Sequence, residues 1–142
     1  MKRSLLIAVT LIVLAAAGFL ILKITIPFQY AEAELRPDVL QYLEHLQEQN
    51  HLSPAEAAQL YKYHGTDYEG TLPPRIQITE AIVEADVVRV SFYDPSARDD
   101  SIFQTRSRIY MRRNSEGHWL PFKHEWSHKG RGRFGWTTKP TT

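Results

Sequence analysis

The sequence predicts an α+β protein, in which an N-terminal transmembrane helix precedes two helices packed on a curved antiparallel sheet of about four strands. Three observations carry that prediction. Residues 5–26 form an apolar stretch behind Lys2 and Arg3, with Lys23 as its one charge. Between residues 35 and 63, apolar side chains recur at helical spacing. From Arg75 onward the period falls to two, with β-branched and aromatic residues enriched. The expected division is a transmembrane signal anchor at 1–27, an extracytoplasmic α+β domain at 28–128, and a basic, aromatic-containing flexible tail at 129–142. About 110 residues follow the anchor, enough for one hydrophobic core rather than two.

The 22 positions from 5 to 26 cover the roughly 30 Å of a bilayer core at about 1.5 Å per residue. Lys23 lies near one end, where its stem lets the ammonium reach the headgroups. Ala15, Ala16 and Ala17 before Gly18 offer signal-peptidase spacing. Cleavage there would leave the still apolar start "GFLILKITIP", so an uncleaved anchor is expected. The chain has no cysteine, which excludes a lipid-modified N-terminal Cys. Lys2 and Arg3 precede the span while Glu32, Glu34 and Asp38 follow it. The positive-inside rule then puts the N-terminus in the cytoplasm and the domain outside. The expected location is a bacterial inner membrane, single-pass, with the lipid bilayer contacted through residues 5–26 and the domain periplasmic.

Leu35, Val39, Leu40, Leu43 and Leu46 predict an amphipathic helix over 35–49, with Glu and Gln on its other face. "SPAE" opens the next: Ser53 caps, Pro54 suits the first turn, Glu56 completes a capping box, and Gly65 ends it after Tyr63. Strands follow at "RIQITEAIVE", "VVRVSFYD", "IFQTRSRIYMRR" and "HWLPFKHEWSH", the last two joined through "NSEG" as a hairpin. In the second, Val88, Val90 and Phe92 face one way, and Arg89, Ser91 and Tyr93 the other.

This order of elements, with the late hairpin "NSEGHWLPFKHEW" carrying a Trp just after its turn, resembles the NTF2-like or cystatin-like superfold. That resemblance implies helices packed into the concave face of a curved sheet over residues 35–128. A span ahead of such a domain is also similar to VirB8-type subunits of bacterial secretion channels. Because the superfold hosts enzymes, binding modules and assembly subunits alike, the resemblance carries no activity.

"HEWSH" at 124–128 matches H-E-x-x-H, which binds zinc when its two histidines lie one helical turn apart. Here Pro121 precedes and "KGRGRFG" follows, leaving no room for a helix. On a strand the two histidines stand about 13 Å apart, and no His, Asp or Glu follows His128. No metal and no cofactor is expected. The serines lack an elbow motif, no glycine-rich phosphate loop occurs, and no catalytic set stands out.

Charge is unevenly spread. Residues 27–100 carry 5 Lys and Arg against 14 Asp and Glu, whereas 101–142 carry 9 against 2. Packing of acidic early elements against basic late strands accounts for this, as does a bipolar surface for partners. On the third strand Gln104, Arg106, Arg108, Tyr110 and Arg112 line one face, either as a solvated surface with cross-strand pairs or as a stripe for anions and partners. In the tail, Arg131, Arg133, Phe134 and Trp136 combine cations with aromatics, as interface anchors do. Two behaviours are open to it: ordering on a partner, or folding of Phe134 and Trp136 onto the domain's own sheet.

The expected function is binding, as an accessory or assembly subunit of an envelope complex with a protein partner. Nucleic acid is not expected, because the domain lies outside the cytoplasm. A small enzyme using a concave pocket is the alternative, with His64, Asp67 and Glu69 of "HGTDYEG" as its acid–base candidates. An immunity or inhibitor protein is a third reading.

Overall fold

A computed structural model describes residues 29–96, 102–130 and 136–138. Two helices, α1 (Pro37–Gln49) and α2 (Pro54–Tyr63), pack on one sheet of five strands: β1 (Ala31–Ala33), β2 (Gln77–Glu84), β3 (Val87–Asp94), β4 (Ile102–Arg113) and β5 (Trp119–Gly130). The spatial order is β1-β5-β4-β3-β2, with every neighbouring pair antiparallel. The fold is therefore α+β, with one strand more than the periodicity indicates. β1 escapes sequence reading because three residues are too few to establish a period; it forms by pairing Ala31, Glu32 and Ala33 with Trp126, Glu125 and His124 of β5. No helix among the described residues is long and apolar enough to cross a membrane. The expected span at 5–26 lies outside them.

Helix α1 starts with Pro37 at its first turn and Asp38 beside the positive helix end. Val39, Leu43 and Gln47, spaced by four, form its buried row. Helix α2 has the capping box the sequence implies: Ser53 Oγ accepts from the Glu56 N–H at 3.3 Å, and Glu56 Oε2 accepts from the Ser53 N–H at 2.8 Å. The Ser53 N–H, and the Ser53 hydroxyl that donates to the same oxygen at 2.8 Å, hold the Glu56 carboxyl below its ordinary value. Gly65, at φ +74°, turns the chain out of the helix.

The core joins Val39, Leu43, Ala57, Ala58 and Tyr61 of the helices to Val88, Val90, Phe92, Ile109 and Met111 of the sheet. These strand residues are alternate positions on one face, as period two requires. Gln47 departs from the expected polar surface of α1. It is buried, its Nε2 donates to the Trp119 carbonyl at 3.0 Å, and its Oε1 accepts from the Trp119 N–H at 2.8 Å. One amide thus replaces a strand partner at the start of β5 and ties α1 to it.

The β4–β5 turn is organised by Asn114, whose Oδ1 accepts from the N–H groups of Glu116 and His118 at 3.0 and 2.9 Å. Gly117, at φ +87°, supplies the left-handed residue. Further along, the register shifts between Tyr110 and Met111, which pair with Lys123 and Pro121. Phe122 is the extra residue of this bulge. It resets the alternation of β5, so that Pro121 and His124 both face the helices while Lys123 and Glu125 face away. Strand β5 contacts β4, β1 and both helices.

Candidate functional site: the outer sheet face

The face of the sheet away from the helices follows from the register. Tyr93, Arg106 and Ser127 lie in one cross-strand row, Ser91, Arg108 and Glu125 in the next, and Arg89, Tyr110 and Lys123 in a third. Each of the three arginines that β4 presents on this face, Arg106, Arg108 and Arg112, meets an aromatic ring. The Arg108 guanidinium lies 4.0 Å from the Tyr30 ring centre, and Arg112 lies 4.3 Å from Phe122. Arg106 is between two rings, 5.0 Å from Tyr93 and 4.4 Å from Trp136. Such contacts fix a guanidinium plane without using its N–H donors, and at Arg108 and Arg112 those donors are open to acceptors on another molecule.

Between these stacks runs a groove of about 240 Å³, lined by Tyr30, Gln77, Thr79, Ser91, Tyr93, Arg106 and Arg108 among others. It combines two cations and two phenol rings with polar side chains, and Phe92 and Ser107 complete its lining. Beside it, Lys123 Nζ lies 2.7 Å from Glu125 Oε1, and Tyr110 donates to Glu125 Oε2 at 3.2 Å. Burial acts to raise the Glu125 carboxyl, but the hydrogen bond and charge of Lys123, with Tyr110, outweigh it and hold the carboxyl below its usual range. Lys123 is raised by the same hydrogen bond. Arg108 and Arg112 have no carboxylate within 4.0 Å among the described residues.

The structure therefore places Arg106, Arg108, Tyr110, Arg112 and Trp136 on one surface. Trp136 comes from the tail: Thr137 exchanges backbone hydrogen bonds with His128 at 3.0 and 2.8 Å, which lays Trp136 beside Arg106 and Tyr93. Arg131, Arg133 and Phe134 lie outside the described residues. Sequence reading missed Tyr30, Tyr93 and Phe122 as ring partners. Tyr93 was legible as the residue facing the same way as Arg89 and Ser91. The Phe122 position depends on a bulge, and Tyr30 depends on β1, so neither had a local signal.

The "HEWSH" residues occupy β5, with His124 and His128 toward the helices and Glu125 away from them. His124 Nε2 is 2.6 Å from Ser107 Oγ, and its ring meets Tyr61 edge-on at 5.9 Å. Burial, then the charges of Lys62 and Arg36, push His124 down to about 4. His128 is buried and stacks on Trp126, with ring centres 5.5 Å apart. Among the described residues, no group of three His, Asp or Glu side chains is arranged to hold a metal ion. In "HGTDYEG", His64 Nδ1 lies 2.9 Å from Glu69 Oε1, while Glu69 Oε2 accepts from the Gly65 N–H at 2.9 Å. This pair closes its own loop, and Asp67 is exposed on that loop.

Comparison with protein-family models, curated proteins and solved structures finds no match. Functional assignment accordingly rests on the geometry of the surface.

Proposed function

We propose that this chain is a single-pass protein of a bacterial inner membrane whose periplasmic α+β domain acts by binding, as an accessory or assembly subunit of an envelope complex. The outer face of β3, β4 and β5 is the contact surface, and its partner is a protein that presents acidic side chains. The observation that carries this reading is the row of β4 arginines, each set against an aromatic ring, beside a groove with small polar side chains. Arginines already held in one plane lose less conformational freedom on binding, and Arg with Tyr or Trp is the combination that dominates interface energetics. The anchor at 5–26 rests on its length, lack of acidic residues and flanking cations.

The test is capture from membranes of the full chain carrying Arg106→Glu and Arg108→Glu together, at equal folded concentration. Partner affinity is expected to fall about thirtyfold or more, since truncating one central anchor typically costs about 2 kcal/mol. Unchanged recovery of partners would remove the surface from consideration. Because the chain has no native cysteine, a single Ser53→Cys reports topology through a membrane-impermeant thiol reagent. Labelling is expected only from the periplasmic side.

A further inference from the structure

On the opposite face of the sheet from the arginine row, a second cluster has a different character. Arg36, just ahead of α1, donates through its guanidinium to the Tyr61 carbonyl in the last turn of α2. Its backbone N–H reaches the Tyr61 hydroxyl at 3.3 Å, and its guanidinium lies 5.2 Å from that ring centre. The Tyr61 and His124 rings lie nearly perpendicular, and His124 is bonded to Ser107. Ser107 pairs across the ladder with Phe92, and the Lys62 ammonium lies 5.9 Å from the Phe92 ring centre and 5.2 Å from that of Tyr63. Two cations, a phenol, a hydroxyl and an imidazole thus converge where α2 crosses the sheet.

We propose that this corner, bounded by Arg36, Tyr61, Lys62, Ser107 and His124, is a site for a small oxyanion, a carboxylate or phosphate group. Lys62 has no ion pair or hydrogen bond among the described residues. Asp94 is the carboxylate whose charge acts on it, yet Asp94 Oδ1 is already held by Arg75 Nε at 3.1 Å and the Ser96 N–H at 3.0 Å. Burial lowers the Lys62 ammonium to about 8 and the Arg36 charge adds to that effect. A half-buried ammonium packed over two rings, with Asp94 already committed to Arg75, is an arrangement that an anion relieves. Donors are available as well. Neutral His124 and Ser107 share one hydrogen bond, and whichever of them donates in it, the pair keeps one further N–H or O–H unspent. The Tyr61 hydroxyl accepts from Arg36, so its own proton remains to be given. Arg36 and Lys62 are each half-buried, so both side chains keep contact with solvent.

A purely structural role also accounts for cations at this place, since they complement the carbonyl end of α2. Arg36 already satisfies that end, and Lys62 lies over two rings instead. The experiment is an NMR titration of the histidine ring signals of the full chain in detergent, using inorganic phosphate and acetate separately, with chloride at equal ionic strength as reference. His124 is assigned by its loss in His124→Gln. Its ring signals are expected to shift and saturate with one of the two probes, and the better probe identifies the oxyanion class. Lys62→Met is expected to weaken that response about tenfold or more, the effect of removing one charged partner. Arg108→Gln, on the other face, is expected to leave it unchanged. The proposal fails if His124 responds no more to either probe than to chloride, if Lys62→Met titrates like the parent chain, or if Arg108→Gln abolishes the response. None of these outcomes bears on partner capture through Arg106 and Arg108.

Discussion

Strand β4 carries two chemistries on its two faces. Toward the helices stand Ser107, Ile109 and Met111, all buried; toward the outside stand Arg106, Arg108, Tyr110 and Arg112. The same backbone and hydrogen-bond ladder support both rows, so the difference lies in what covers them. The inner row is covered by two helices and holds the domain together. The outer row meets the side chains of Tyr30, Phe122 and Trp136 and can change with little effect on folding. Substitutions at adjacent positions should therefore have effects of different kinds.

The largest separation is expected between Ile109 and its neighbour Arg108. Ile109→Ala empties volume at a fully buried site and should cost about 2–5 kcal/mol, whereas Arg108→Ala should cost about 1 kcal/mol, the worth of its contact with Tyr30. Denaturant unfolding of both variants checks this, and equal losses would break the contrast between the faces.

Acid should act through the inner face next. His124 titrates near 4 when folded but near 6.5 when unfolded, so between those values the unfolded chain binds a proton that the folded chain does not. Stability contributed by keeping this imidazole neutral is present above about pH 6.5 and is lost as pH falls toward 4. The full loss is about 3 kcal/mol. His124→Gln should flatten that part of the pH–stability curve, and an unchanged slope would show that other groups carry it.

A somewhat smaller cost attaches to Gln47. Replacing it by Ala leaves the Trp119 N–H and C=O without their partner, a loss of about 2 kcal/mol, read as a midpoint shift. The smallest effect belongs to the outer face. Trp136→Ala removes one contact with Arg106 and one with Tyr93, worth about 1 kcal/mol at a partly exposed site. A melting temperature lower by several degrees would measure how firmly the tail is held.

Much of this architecture was legible because it depends on local rules. The Ser53–Glu56 box, Gly65, the turn at Asn114 to Gly117 and the alternation through Val88, Val90 and Phe92 each record a short-range constraint. The features that escaped all require a partner distant in sequence. Gln47 looks like a surface residue until Trp119 is placed beside it, 72 positions away. Phe122 looks like an inward residue until the bulge is counted, and β1 is too short to announce itself. The candidate surface divides in the same way: its arginines followed from alternation along β4, but their ring partners came from the N-terminal flank, from the bulge and from the tail.

The position of β5 has a consequence for how the chain is made. Its strand neighbours, the Gln47 amide and the facing side chains of both helices all converge on residues synthesised late, at 119–130. Until that segment emerges, α1 and α2 have incomplete cover for Val39, Leu43 and Tyr61, and β1 has no strand to join. Closing such distant contacts is slow compared with forming the helices. Under the proposed topology the anchor emerges first, so the domain would cross the membrane before it can close. Its apolar helix faces would then be exposed on the far side for the interval before β5 arrives, which is when a nascent chain is most prone to aggregate.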